Sequence, residues 1–187
     1  MRLFFALWPD VRTRELMAGA ASALRLTGQA RRVPPENYHL TLAFVGEVSA
    51  TQLEVLLEIG RAQRAAGCKF EIDAFDYWPE PKVVVALAGE TPTALIGLSV
   101  RLQDLALRSI ARNPSRPIVP AHAPLRAHVT LARKVAQAPV LQAMSPIPWC
   151  ARSFSLVRSD TGGSHSVYTV VDRWPLLDKS PAAQKSL

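Results

Sequence analysis

The chain has 187 residues, of which 49% are apolar and 20% charged; that is enough apolar surface for the core of one domain and excludes an intrinsically disordered segment. Its 22 Lys and Arg against 15 Asp and Glu leave a formal charge of +7, which points to an anionic partner such as nucleic acid, a nucleotide or a membrane surface. Two cysteines without C-x-x-C spacing argue against a disulfide framework or a zinc site, and no apolar run approaches membrane-spanning length.

The opening MRLFFALWPDVR has an apolar run too short for a secretory signal and no small-residue cleavage site. A cytoplasmic protein with two buried, reduced thiols is therefore expected, and residues 2–8 read as a first strand. Residues 10–26 form an amphipathic helix with Asp10 at its N-cap and Gly28 near its end. RRVPPEN is a Pro-rich turn, and YHLTLAFVG, residues 38–46, a second strand. A second helix starts near Ser49. Residues 69–78 and 82–88 are two strands joined at Pro79-Glu80-Pro81. Residues 91–112 are the third helix, with Thr91 as N-cap and Pro92 at its first position. The loop at 113–127 has a length usual for functional loops. A strand at 128–134, a short helix around Val140 and strands at 151–159 and 168–174 follow. Residues 178–187 read as a frayed, flexible tail. This order predicts a single domain with an α+β, duplicated two-lobed fold. Its halves, about 1–90 and 91–177, supply antiparallel sheets lining a central cleft, with helices packed outside.

Only four histidines occur, and two of them open the same pattern, His39-Leu40-Thr41-Leu42 and His128-Val129-Thr130-Leu131, with 128 − 39 = 89 residues between them. Strand side chains alternate, so each His and its Thr share one face while the apolar pair holds the strand to the core. Two imidazoles across one cleft form an acid–base pair near neutral pH. That suits in-line displacement at phosphorus, with Thr hydroxyls and Arg groups on the non-bridging oxygens. No metal ligands cluster in the sequence, so no metal or other cofactor is expected.

From Arg101 to Lys134 there are seven Lys or Arg and one acid, Asp104, giving 7 − 1 = +6 of the net charge. With a catalytic histidine beside it, this stretch, Arg126 included, is expected to meet an anionic substrate. Arg31 and Arg32 either touch RNA phosphates or solvate a turn. Tyr38, Phe44 and Trp149 are aromatic candidates for stacking on a base, although Phe44 has the parity of Leu42 and so of the core. His122 and His165 read as exposed loop histidines. Ser164 and Ser166 lack the G-x-S-x-G context of a nucleophile.

The stretches RLFFALWP, VPPENYHLTLAFVGEV, WPEPKVVVALAG, HVTLARK and YTVVDRWPL resemble the two-histidine phosphoesterases. More narrowly, they resemble the bacterial RNA 2′,3′-cyclic phosphodiesterases, also called the 2′-5′ RNA ligase family. The resemblance implies metal-independent opening of a 2′,3′-cyclic phosphate at an RNA end to a 2′-phosphomonoester, with 2′-5′ ligation as a second activity. It implies His39 as proton donor and His128 as proton acceptor, Thr41 and Thr130 as their partners, and Arg133 as a phosphate ligand. Arg126 and Tyr38 complete the expected substrate contacts. Arg133 has the wrong strand parity to face the cleft unless the strand bulges near Ala132. The family commonly has Pro before the second His, where this chain has Ala127. The expected partner is RNA with cyclic phosphate ends, tRNA fragments among them, bound by a monomer away from membranes. Two other functions fit the composition: an RNA-binding module without chemistry, and a phosphodiesterase for small cyclic nucleotides.

Overall fold

The computed structural model describes residues 1–110, 125–160 and 166–178. β1 (Arg2–Leu7) leads into α1 (Val11–Ser22), whose first turn is held by Thr13 N donating to the Asp10 carboxylate at 2.8 Å. That bond keeps the Asp10 carboxyl below its ordinary pKa. The Pro-rich turn contains a short strand, β2 (Arg31–Arg32), and a 3-10 turn over Pro35–Asn37. β3 (Leu40–Glu47) follows, then α2 (Ala50–Ala62), which opens with a reciprocal capping box between Ser49 and Gln52. The segment expected as one strand over 69–78 is two, β4 (Cys68–Ile72) and β5 (Ala74–Trp78), which part at Asp73 into different sheets. β6 (Val83–Leu87), α3 (Thr93–Ile110), β7 (His128–Arg133), β8 (Ile147–Ala151), β9 (Ser153–Asp160) and β10 (Val167–Pro175) complete the fold.

Several sequence expectations are corrected. No helix forms around Val140: Pro139 and Pro146 bracket too few residues to nucleate one. The strand expected over 151–159 is the end of β8 plus β9, broken at Arg152. α3 starts at Thr93, and Pro92 O accepts its first bond from Ile96 N at 3.1 Å, so Pro92 holds the cap position and Thr91 lies one residue outside; the Thr91 hydroxyl instead accepts from Ala127 N at 2.9 Å. This contact ties the second His motif to the start of α3, and a proline at 127 could not make it. Cys68 and Cys150 are half-buried, not buried. They lie opposite Ala151 and Lys69 respectively, so they leave opposite faces of their ribbon.

Two four-stranded antiparallel sheets run in the orders β10-β9-β1-β3 and β2-β7-β6-β5, with β4-β8 as a separate ribbon. Each sheet takes strands from both sides of residue 90. α2 and α3 cover the back of the first sheet, while α1 packs on β8 and the 3-10 turn. The main core holds Leu3, Phe5 and Leu7 from β1 and Val84 and Ala86 from β6. The alternate residues form two small apolar clusters on the front faces, Phe4, Ala6 and Val157 on one sheet and Val83, Val85 and Leu87 on the other. β3 and β7 contact each other, which brings the two front faces together. Among the described residues, no helix is long and apolar enough to cross a membrane.

Candidate active site

His39 stands just ahead of β3 and His128 opens β7. Their local geometry matches. The His39 Nδ1 lies 2.7 Å from Asn37 O, and the His128 Nδ1 lies 2.7 Å from Arg126 O. A carbonyl oxygen only accepts, so each Nδ1 carries the hydrogen and each Nε2 is left for chemistry. Asn37 is anchored in turn, its Nδ2 donating to Ser166 O at 3.1 Å.

Each imidazole sits against aromatic rings. His39 packs on Phe4, Trp8 and Tyr168, at ring-centroid distances of 4.9, 5.4 and 5.0 Å. His128 packs on Trp78 at 4.5 Å. The His39 pKa is lowered to about 4, chiefly by burial in this setting, with the Asn37 carbonyl opposing and the charges of Arg133 and His128 adding to the fall. Burial, followed by the charge of Arg126, also lowers His128, with the Arg126 carbonyl opposing. The charges of Arg133 and His128 both act on His39, so the three groups lie within electrostatic reach of one another. Thr41 and Thr130 are half-buried beside their histidines and lie opposite Ala6 and Val85 on the front faces.

Both motif strands bulge at the same position. In β3, Thr41 faces Ala6 and Ala43 faces Phe5, which leaves Leu42 as the extra residue. In β7, Thr130 faces Val85 and Ala132 faces Val84, which leaves Leu131 extra. The Leu42 carbonyl, displaced from regular pairing, accepts from Ser99 Oγ at 2.5 Å and Gln103 Nε2 at 3.3 Å, both on α3. A bulge reverses the alternation beyond it. Arg133 therefore returns to the face of His128 and Thr130, opposite Val83. Phe44 moves the other way from its expected place. It faces Phe4, is 58% exposed, and has the Arg2 guanidinium 5.4 Å from its ring centroid. Phe44 and Arg133 thus hold equivalent positions in the two repeats.

Other expected contacts divide. Arg126 is exposed beside His128, with its guanidinium 5.6 Å from the Trp78 ring centroid and 3.5 Å from Asp76. Asp76 also accepts from Trp78 Nε1 at 2.8 Å, so it orients the ring beside His128. Tyr38 is 2% exposed and belongs to the main core, so it presents no face to a base. The 3-10 turn before it directs the ring inward. Trp149 is buried too, stacked on Phe70 in the β4-β8 ribbon. The basic stretch is not one surface: Arg108 is paired with Asp104 on α3, at the back of the first sheet. Arg112, Arg116, His122, Ser164, His165 and the tail from 179 onward lie outside the described residues. Sequence reading missed Phe4, Trp8, Trp78, Asp76 and Tyr168. A longer comparison of the repeats, Thr-Leu-Ala-Phe44 against Thr-Leu-Ala-Arg133, carries the signal for the paired bulges. Among the described residues, no group of three or more His, Cys, Asp or Glu side chains could hold a metal ion.

Two antiparallel sheets that each carry a His-x-Thr-x strand, β3 in one and β7 in the other, are the arrangement of the two-histidine phosphoesterase class. The chain belongs to the LigT-like phosphoesterase family, whose sequence pattern matches residues 7–85. The RNA 2′,3′-cyclic phosphodiesterase of Thermus thermophilus is 30% identical over 184 residues, spanning 94% of this chain and 90% of that protein. The protein of the same name from Escherichia coli K12 is 30% identical over 180 residues, spanning 94% and 96%. The crystal structure of E. coli LigT complexed with 3′-AMP superposes with a TM-score of 0.83 at 28% identity, over 94% of this chain and 97% of that one.

Proposed function

We propose that this protein hydrolyses 2′,3′-cyclic phosphodiester ends of RNA to 2′-phosphomonoesters, using His39 as proton donor and His128 as proton acceptor. The observation that carries this reading is the matched pair of Nδ1–H bonds to Asn37 O and Arg126 O, which leaves two Nε2 atoms available at one cleft. His128 Nε2 takes a proton from water as the water oxygen bonds to phosphorus. The P–O3′ bond breaks, and His39 Nε2 delivers its proton to O3′. The product keeps its phosphate on O2′ and gains a free 3′-hydroxyl. Thr41, Thr130 and Arg133 hold the non-bridging oxygens while charge builds on them. With a 5′-hydroxyl in place of water, the same displacement makes a 2′-5′ linkage.

His39, at about 4, is neutral near pH 7. A bound phosphate offsets the charge of Arg133 and favours the imidazolium, so the donor is armed by its own substrate. Phe44 offers an exposed ring on the same front face for a nucleobase. The reading includes a monomer working in the cytoplasm on RNA ends, those of tRNA fragments among them.

The test is incubation with an oligoribonucleotide ending in 2′,3′-cyclic phosphate, with EDTA present. A 2′-phosphate product is expected at undiminished rate. Loss of activity in EDTA, restored by a divalent ion, overturns the metal-free mechanism; binding without turnover favours a plain RNA-binding module. His39→Ala and His128→Ala should each lower kcat by about a hundredfold or more. On a substrate with a much better leaving group, His39→Ala should recover most of its rate and His128→Ala should not. Recovery by His128→Ala alone reverses the two roles.

A further inference from the structure

Arg31 and Arg32 are neighbours in sequence and part in the fold. Arg32 pairs with Ala132, on the core side of β7. Its guanidinium donates to Ala21 O at 2.9 Å, Ser22 O at 3.2 Å and Leu24 O at 2.6 Å. Arg32 thus caps the carbonyls at the end of α1. Arg31 points the other way, because it pairs with Arg133 and shares the front face.

Like charges directly opposite each other weaken a strand pair. Here two guanidiniums stand opposite each other on a two-residue strand, and among the described residues neither is in an ion pair. The rim is more basic still. Lys82 precedes the Val83 that faces Arg133, and its carbonyl accepts from Val135 N at 3.0 Å, which places Lys134 at the same end of the sheet. Glu80, in the turn before Lys82, is the acid that approaches this rim in sequence, and it is not ion-paired to any of the four cations. Unpaired positive charge gathered in this way attracts polyanions. The charge of Arg133 reaches His39, whereas Arg31 is not among the groups that act on either imidazole. Arg31 also sits at the end of β7 remote from His128.

We infer that Arg31, beside Arg133, forms a second phosphate site that holds the phosphodiester on the 5′ side of the reacting nucleotide and so selects an RNA strand over a mononucleotide. This rests on the cyclic phosphodiesterase reading above. An RNA end that carries a 2′,3′-cyclic phosphate continues only in the 5′ direction. Its next phosphate is the one available to a guanidinium placed just beyond the reacting centre. Arginine suits the role because its planar fork takes two phosphate oxygens at once.

The experiment compares Arg31→Gln and Arg31→Lys with the parent enzyme on an oligoribonucleotide with a cyclic phosphate end and on a nucleoside 2′,3′-cyclic phosphate. Arg31→Gln should lower kcat/KM on the oligoribonucleotide by about tenfold, with a loss on the mononucleotide at least severalfold smaller. Its binding of an unreactive single-stranded RNA should lose about 0.7 from the slope of log K against log salt, as for one phosphate contact. Arg31→Lys should keep most of that slope, which a general structural lesion would not do. Equal losses on both substrates, or an unchanged salt slope in Arg31→Gln, overturn the inference. If the parent enzyme opens neither cyclic phosphate, the catalytic reading fails. The salt slope on unreactive RNA then still decides whether Arg31 holds a phosphate.

Discussion

His39 shows how a short motif acquires chemistry from its surroundings. Its ordinary pKa of 6.5 falls to about 4 mainly because Phe4, Trp8 and Tyr168 exclude water from the charged form. The unfolded chain therefore binds more protons than the folded one between about pH 4 and 6.5. The stability that comes from keeping His39 neutral is complete above about pH 6.5 and drains away as pH falls toward 4. His128, also lowered by burial, adds to this with the same sign. Thermal denaturation should show Tm decreasing from pH 7 to pH 5, and His39→Phe should flatten that dependence while keeping the apolar contacts. An unchanged slope in His39→Phe would place the destabilising protonation elsewhere. Arg133 is the other side chain on which the proposed mechanism depends. Arg133→Ala should reduce kcat/KM at least tenfold, as expected for loss of a charge-assisted bond to phosphate, and Arg133→Lys should recover only part because it lacks the bidentate fork.

Among the elements, β3 and β7 carry the site, and their shared bulge sets what each strand shows to the cleft. Without the extra Leu42 and Leu131, strict alternation would send Phe44 and Arg133 to the core side of their sheets. The Phe44 ring is exposed and outside the main core, so Phe44→Ala should leave Tm within a degree or two. The same change should raise KM for a nucleotide substrate by about fivefold or more, since stacking of a base on an aromatic ring contributes about 1–3 kcal/mol. A large fall in Tm with unchanged KM would return Phe44 to a packing role. Tyr38 is the converse case. It adjoins the motif in sequence, yet the 3-10 turn at Pro35–Asn37 rotates it into the core. Turn geometry of that kind depends on β2 pairing with β7, a contact about a hundred residues away in the chain.

For the molecule as a whole, the interleaving of strands matters most. β1, the first strand of the chain, lies between β3 and β9, and β6 lies between β5 and β7. Neither sheet can form from one half of the chain, so residues 1–187 should behave as one cooperative domain. Denaturation followed by Trp fluorescence and by far-UV circular dichroism should give coincident transitions. A chain cut after residue 90 should not yield two folded halves. Separate transitions for the two signals would show independent units.

The α+β class, the order of most elements and the two His-x-Thr-x strands were legible along the chain because they rest on local properties. Alternation, a cap such as Asp10, and a repeated four-residue pattern need no distant partner to be seen. The place of Arg133 on the front face was legible only conditionally, since the bulge that puts it there is a matter of register with β6. The sharing of strands between sheets, the break of 69–78 at Asp73, the burial of Tyr38 and Trp149, the exposure of Phe44 and the parting of Arg31 from Arg32 all follow from long-range pairing. Each depends on which strand lies alongside. Pairing partners are chosen by the packing of the whole core, and no short window of sequence contains that choice.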